Sequence, residues 1–171
     1  IGGRVLRKEV YGNGHPYAVP ASGLGEVTSI DSLSQSEMQA WHKQFIRPDN
    51  ATIMVVGDTT LAELLPKLEK TFGQWQAPTS SKPTAKVPNV ALPTKNRVIL
   101  IDQPGAIQAN IMIGQLVPSS LSDEATQFEI ANSILGGEFS SRLNMNLRED
   151  KHWSYGSYSG VGGAIGQRLW S

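Results

Sequence analysis

Four prolines, Pro78, Pro83, Pro88 and Pro93, recur every fifth residue through a stretch rich in Ser, Thr and Lys. Each removes a backbone donor and fixes φ, so residues 76–96 cannot form a helix or a central strand. The stretch reads as an extended connection between two halves, with little to bury. Each half must therefore build its own helices and strands. Hydrophobic residues make up 39% of the chain and charged residues 18%, enough for a folded core.

Before the connection, residues 1–30 read as loop-rich, with "YGNGHPYAVPASGLG" dense in turn dipeptides. A helix start follows. Ser34 and Glu37 have capping-box spacing, with Leu33 and Met38 at the staple positions. Met38, Trp41 and Phe45 then share one helical face, and Pro48 ends the run. "ATIMVVGD" (51–58) reads as a buried strand. Thr60 and Glu63 repeat the capping box, and Leu61, Leu64, Leu65, Leu68 and Phe72 form the next stripe. Pro66 lies inside it and Gly73 marks its end.

Beyond the connection, "RVILIDQ" (97–103) and "AIQANIMIGQL" (106–116) read as strands. A helix is expected from about Ser122 to Leu135, ended by Gly136. A last strand is expected over "SYGSYSGV" (154–161). The pattern predicts an α/β sandwich: one mixed, largely antiparallel sheet with helices packed on it.

The segment between Gly136 and Trp153 carries two signals. Leu143, Met145 and Leu147 alternate as in a strand. Ser140 and Ser141 are N-cap candidates, and the intervening residues are good helix formers. We read a helix ending near Asp150, with His152 in the following turn, where histidine tolerates positive φ better than most residues. Arg148 then lies in the last turn and Tyr155 opens the next strand. A guanidinium and a phenol past one helix end could together hold an anionic or carbonyl oxygen. The alternative is that Arg148 pairs with an acidic neighbour and Tyr155 belongs to the core.

Other chemistry is poorly supplied. The chain has no cysteine, which excludes disulfides, thiolate metal sites and a cysteine nucleophile. Basic and acidic residues balance at 15 each, so no charge field points to nucleic acid or a membrane surface. No apolar run is long enough to span a bilayer. His15, His42 and His152 occur in neither H-E-x-x-H nor H-x-x-E-H. Glu149 and His152 stand three apart, a single copy of a spacing that metal helices use several times. His15 reads as a structural turn residue and His42 as a surface residue. "VGDTT" lacks the glycines and lysine of a phosphate loop, and G-x-S-x-G is absent. The sequence starts at Ile1 and ends in "IGQRLWS", which we read as a piece of a longer protein.

Several motifs in order resemble the insulinase/pitrilysin family of zinc peptidases, which includes the mitochondrial processing peptidases. These are "HPYAVPASG", "SIDSLSQSEMQAWHKQFIRPDNATIMVVGD", "LEKTFGQW" and, most specifically, "LGGEFSSRLNMNLRED…SYGSYSG". The resemblance implies repeated α/β units forming a hinged chamber. It implies zinc held in a catalytic unit by an inverted H-x-x-E-H motif and a distal Glu, the motif Glu being the general base. This chain lacks that motif. It resembles the non-zinc, C-terminal-type domain of a half-molecule, with residues 1–30 as the tail of a preceding unit and 31–171 as the truncated domain. It is thus expected to hold no cofactor itself, the zinc belonging to a catalytic domain in the same chain or a partner subunit. The implied partner is a peptide substrate, and a periplasmic or otherwise extracytoplasmic bacterial setting is favoured. The family places an Arg and a Tyr seven positions apart against substrate, which Arg148 and Tyr155 match. Where members often carry Gly, an apolar residue and Ala before the Tyr, this chain has His152, Trp153 and Ser154. A second reading is an inactive family member serving as a structural or peptide-binding subunit.

Overall fold

Two local signals set the helices of the first half. Ser34 Oγ accepts from the Glu37 amide while the Glu37 carboxylate accepts from the Ser34 amide, and α3 runs from Gln35 to Phe45. Thr60 and Glu63 make the same reciprocal pair at the start of α4, Leu61–Phe72. Each box satisfies amides that the first helical turn would leave unpaired. A one-turn 3₁₀ segment, Pro48–Asn50, follows α3. Helix α4 runs on through Pro66 and is capped by Gly73 in right-handed geometry rather than the left-handed one expected of a terminal glycine.

The computed structural model describes all 171 residues. They divide into two units, Val27–Lys86 and a second made of Ile1–Glu26 with Val87–Ser171. The first unit holds α2 (Val27–Ser32), α3 and α4. Its apolar stripes form as the periodicity predicts, and Trp41 stacks on Phe45 at 5.3 Å between ring centroids. The unit does not cover these stripes itself: Met38, Trp41, Leu61 and Leu65 all remain exposed.

The second unit opens with a helix that the sequence reading did not anticipate, α1, Gly2–Tyr11. Its start has two glycines and no side-chain cap, which hides it from local signals. Strand β1, Gln115–Val117, pairs antiparallel with β2, Arg168–Trp170, in the register Leu116 opposite Leu169. The other edge of β2 meets residues 160–161: Gly160 and Ser171 exchange both backbone hydrogen bonds, and Val161 bridges Trp170. Tyr11, Ala18 and Leu116 form the core, with Val10, Tyr17, Val90 and Leu169 packed around it. Helix α5, Ala125–Asn132, is tied to β2 through Asn132 Oδ1, which accepts from Trp170 Nε1 at 2.7 Å. The result is a mixed α/β fold with helices packed on a small antiparallel sheet.

Much of the expected strand content is absent. Residues 51–58 and 97–103 have no ladder partner, and Val56 is fully exposed. Of the strand expected over 106–116, only Gln115 and Leu116 pair, and of 154–161 only the last two residues do. β-branched composition favours a pleated, half-buried surface, but a strand exists only where a second backbone meets it. The proline-rich connection is also better anchored than its composition suggests. Arg47, 2% exposed, donates to the carbonyls of Pro78, Ser80 and Ser81 and forks onto Asp49. In the other unit, Gln167 bonds both the amide and the carbonyl of Val90.

Candidate functional site

The segment with two competing periodicities is helical. α6, Arg142–Asn144, continues as a π turn over Met145–Asp150, and a second π turn, Ser133–Gly137, ends α5. Single π turns widen a helix by one residue and occur often at functional sites. The last amides fold back across the widened end, His152 onto the Arg148 carbonyl and Trp153 onto that of Leu147. This closure needs a left-handed residue, and His152 supplies it at φ 54°. The bulk of His-Trp-Ser is accommodated because Trp153 turns outward, 75% exposed, with the Lys151 ammonium 5.9 Å from its ring centroid.

That turn brings Arg148 and Tyr155 together. The guanidinium carbon of Arg148 lies 5.1 Å from the Tyr155 ring centroid. Tyr155 is 92% exposed, so it is not a core residue. Arg148 does pair with its acidic neighbour, Nε to Glu149 Oε1 at 3.2 Å, which leaves the two terminal nitrogens as those able to meet a ligand. A permanent cation in the last turn also faces the negative end of the helix dipole.

Two residues of this site carried no sequence signal that we read. Phe139 also packs its ring on Arg148, with the centroid 4.9 Å from the guanidinium carbon. Asn144 is fully buried; its Nδ2 donates to the Phe139 carbonyl at 2.7 Å and its Oδ1 accepts from the Ser157 amide at 3.2 Å. One amide therefore ties the loop before the helix to the segment after it. The spacing of Asn144 and Arg148, four apart on one helical face, was the signal available. Gly136 completes the frame: its chain position is buried, its carbonyl accepts from the Ser159 amide at 2.8 Å, and a Cβ there would collide with Ser159.

The histidines are elsewhere occupied. His15 is buried, with Nδ1 accepting from the Tyr17 amide, so Nε2 carries the proton and donates to the Pro88 carbonyl at 3.0 Å. His42 and His152 are exposed. No three His, Cys, Asp or Glu residues converge in a way that could hold a metal ion. The zinc chemistry implied by the resemblance does not fit the residues of this chain.

Residues 32–171 match the family described as "Peptidase M16 inactive domain". A protein named "Uncharacterized zinc protease YmxG" from Bacillus subtilis is 26% identical over 155 residues, covering 91% of this chain and 36% of that protein. "Uncharacterized zinc protease ML0855" from Mycobacterium leprae is 20% identical over 152 residues, covering 86% of this chain and 32% of its own length. The crystal structure of a peptidase M16 inactive domain from Pseudomonas fluorescens superposes with a TM-score of 0.73 at 22% identity, over 98% of this chain and 39% of that one. The chain thus spans about a third of the length of the curated relatives it matches.

Proposed function

The chain belongs to the peptidase M16 inactive-domain family, and from that premise we propose that it serves a longer zinc peptidase as the domain that closes on bound peptide and contacts the scissile carbonyl. The zinc is held by another domain of the same chain or by a partner subunit. The observation that carries the reading is the pairing of the Arg148 guanidinium with the exposed Tyr155 ring at the end of one helix. Both groups are donors only toward a carbonyl oxygen, and neither can act as a base there. Their part is to hold the peptide carbonyl and to stabilise negative charge as it develops on that oxygen.

A donor aimed at developing charge strengthens its bond as the reaction proceeds, so its loss lowers turnover more than ground-state binding. Removing one such donor costs about 2.7–4 kcal/mol, or roughly 100- to 1000-fold in kcat. Tyr155→Phe in the full-length protein deletes only the hydroxyl of an exposed side chain. We expect kcat on a peptide substrate to fall within that range with the melting temperature unchanged. Arg148→Lys keeps charge, loses the planar fork and is expected to impair turnover as well. Full turnover by Tyr155→Phe would overturn the reading.

A further inference from the structure

We infer that Phe139 is a positioning residue for Arg148, adding a second aromatic face to that of Tyr155 against its guanidinium so that it meets substrate already oriented. The inference rests on the reading that Arg148 contacts substrate. Phe139 and Tyr155 lie in segments 16 positions apart in sequence, yet their ring centroids stand 4.9 and 5.1 Å from the same guanidinium carbon. Both distances fall within the ~6 Å over which a cation is drawn to a ring face.

The two rings differ in what else they can do. Tyr155 is 92% exposed and ends in a hydroxyl that reaches outward. Phe139 has no polar group and is 54% exposed. Its contribution is a π face. Its backbone is fixed from below, because its carbonyl accepts from the fully buried Asn144, while the same side chain holds the Ser157 amide of the opposite segment. Asn144 thus ties the two ring-bearing segments together, and the arginine is the long side chain held against them. An unheld arginine loses rotamer freedom when it binds; one already confined by ring contacts loses less.

The test uses the full-length protein with Phe139→Leu, which keeps an apolar side chain and removes the π face, and Phe139→Trp, which restores one. We expect Phe139→Leu to lower kcat/KM on a peptide substrate by about 2- to 5-fold, the worth of one exposed cation–ring contact. Phe139→Trp should retain wild-type kcat/KM, and in an Arg148→Met background, which leaves no cation, Phe139→Leu should have no further effect. A second readout is independent of activity. The Arg148 side-chain NεH resonance, lying over ring faces, should be shifted upfield in the wild type and move downfield in Phe139→Leu. An unmoved resonance, or equal losses in Phe139→Leu and Phe139→Trp, would overturn the inference. Should the resonance move while Arg148→Lys and Tyr155→Phe keep full turnover, the ring contact stands and the proposed contact with substrate falls.

Discussion

Replacing Asn144 by Ala isolates the frame beneath the candidate site. The side chain is fully buried and makes two hydrogen bonds, to the Phe139 carbonyl at 2.7 Å and from the Ser157 amide at 3.2 Å. Truncation at Cβ orphans one backbone acceptor and one backbone donor together. Each orphaned buried group costs about 1–3 kcal/mol. The damage is local, because the two partners lie in short segments on either side of α6 and not in the core around Tyr11 and Leu116. Native-state hydrogen exchange is therefore the suitable assay. The cost of losing the acceptor for the Ser157 amide predicts exchange at that position roughly 5- to 150-fold faster in Asn144→Ala, at a factor of ten per ~1.4 kcal/mol. Exchange in α1 should be unchanged. Wild-type protection at Ser157 in Asn144→Ala would refute the argument that this amide clamps the two segments. Equal loss of protection in α1 would refute its locality.

Four further outcomes are expected. Thr60→Ala removes the oxygen that accepts from the Glu63 amide and should destabilise α4 by about 1 kcal/mol, read as faster exchange in its first turn. Hydrogen bonds from the Ser34 hydroxyl and amide hold the Glu37 carboxyl below the usual glutamate range; the capping box should be at full strength above that range and fade as pH falls through the lowered value, a loss absent in Glu37→Gln and measurable by an NMR titration of α3. Arg47→Met frees the carbonyls of Pro78, Ser80 and Ser81, so limited proteolysis should cut within 78–81 faster than in the wild type. The chain should retain no stoichiometric zinc after dialysis, measured by metal analysis, since no ligand set converges in it.

The features legible in the sequence were those whose causes lie within a few residues. Both capping boxes, the stop before Pro48 and the positive φ of His152 are local chemistry, and all are present. The helix over 142–150 was recoverable because Leu143 and Leu147 also fit a helical face. Strands depend on a partner elsewhere in the chain. The β-branched run 51–58 has the composition of a strand and no backbone beside it, whereas Arg168–Trp170, a less strand-like tripeptide, pairs because Gln115–Val117 and Gly160–Val161 lie on its two edges. The same division runs through the site. Arg148 and Tyr155 straddle one turn, so a motif could couple them. Phe139 reaches Arg148 only once Asn144 has drawn its loop back against the helix, a through-space closure that no spacing announces.

The π turns make the site a matter of counting. Successive side chains on a helix are rotated by about 100° around its axis. The π turn at Met145–Asp150 takes up one residue more than an α turn would before Arg148 and the closing residues are presented. Deleting one residue between Asn144 and Arg148 would return the helix to ordinary winding, and the lost residue and the lost widening would nearly cancel, leaving the arginine on about the same face of the helix. Inserting one residue finds no such slack and would turn the arginine by about 100°, away from both rings. A relative one residue shorter here can wind as an ordinary α-helix and still present its arginine on this face, whereas one that is longer cannot.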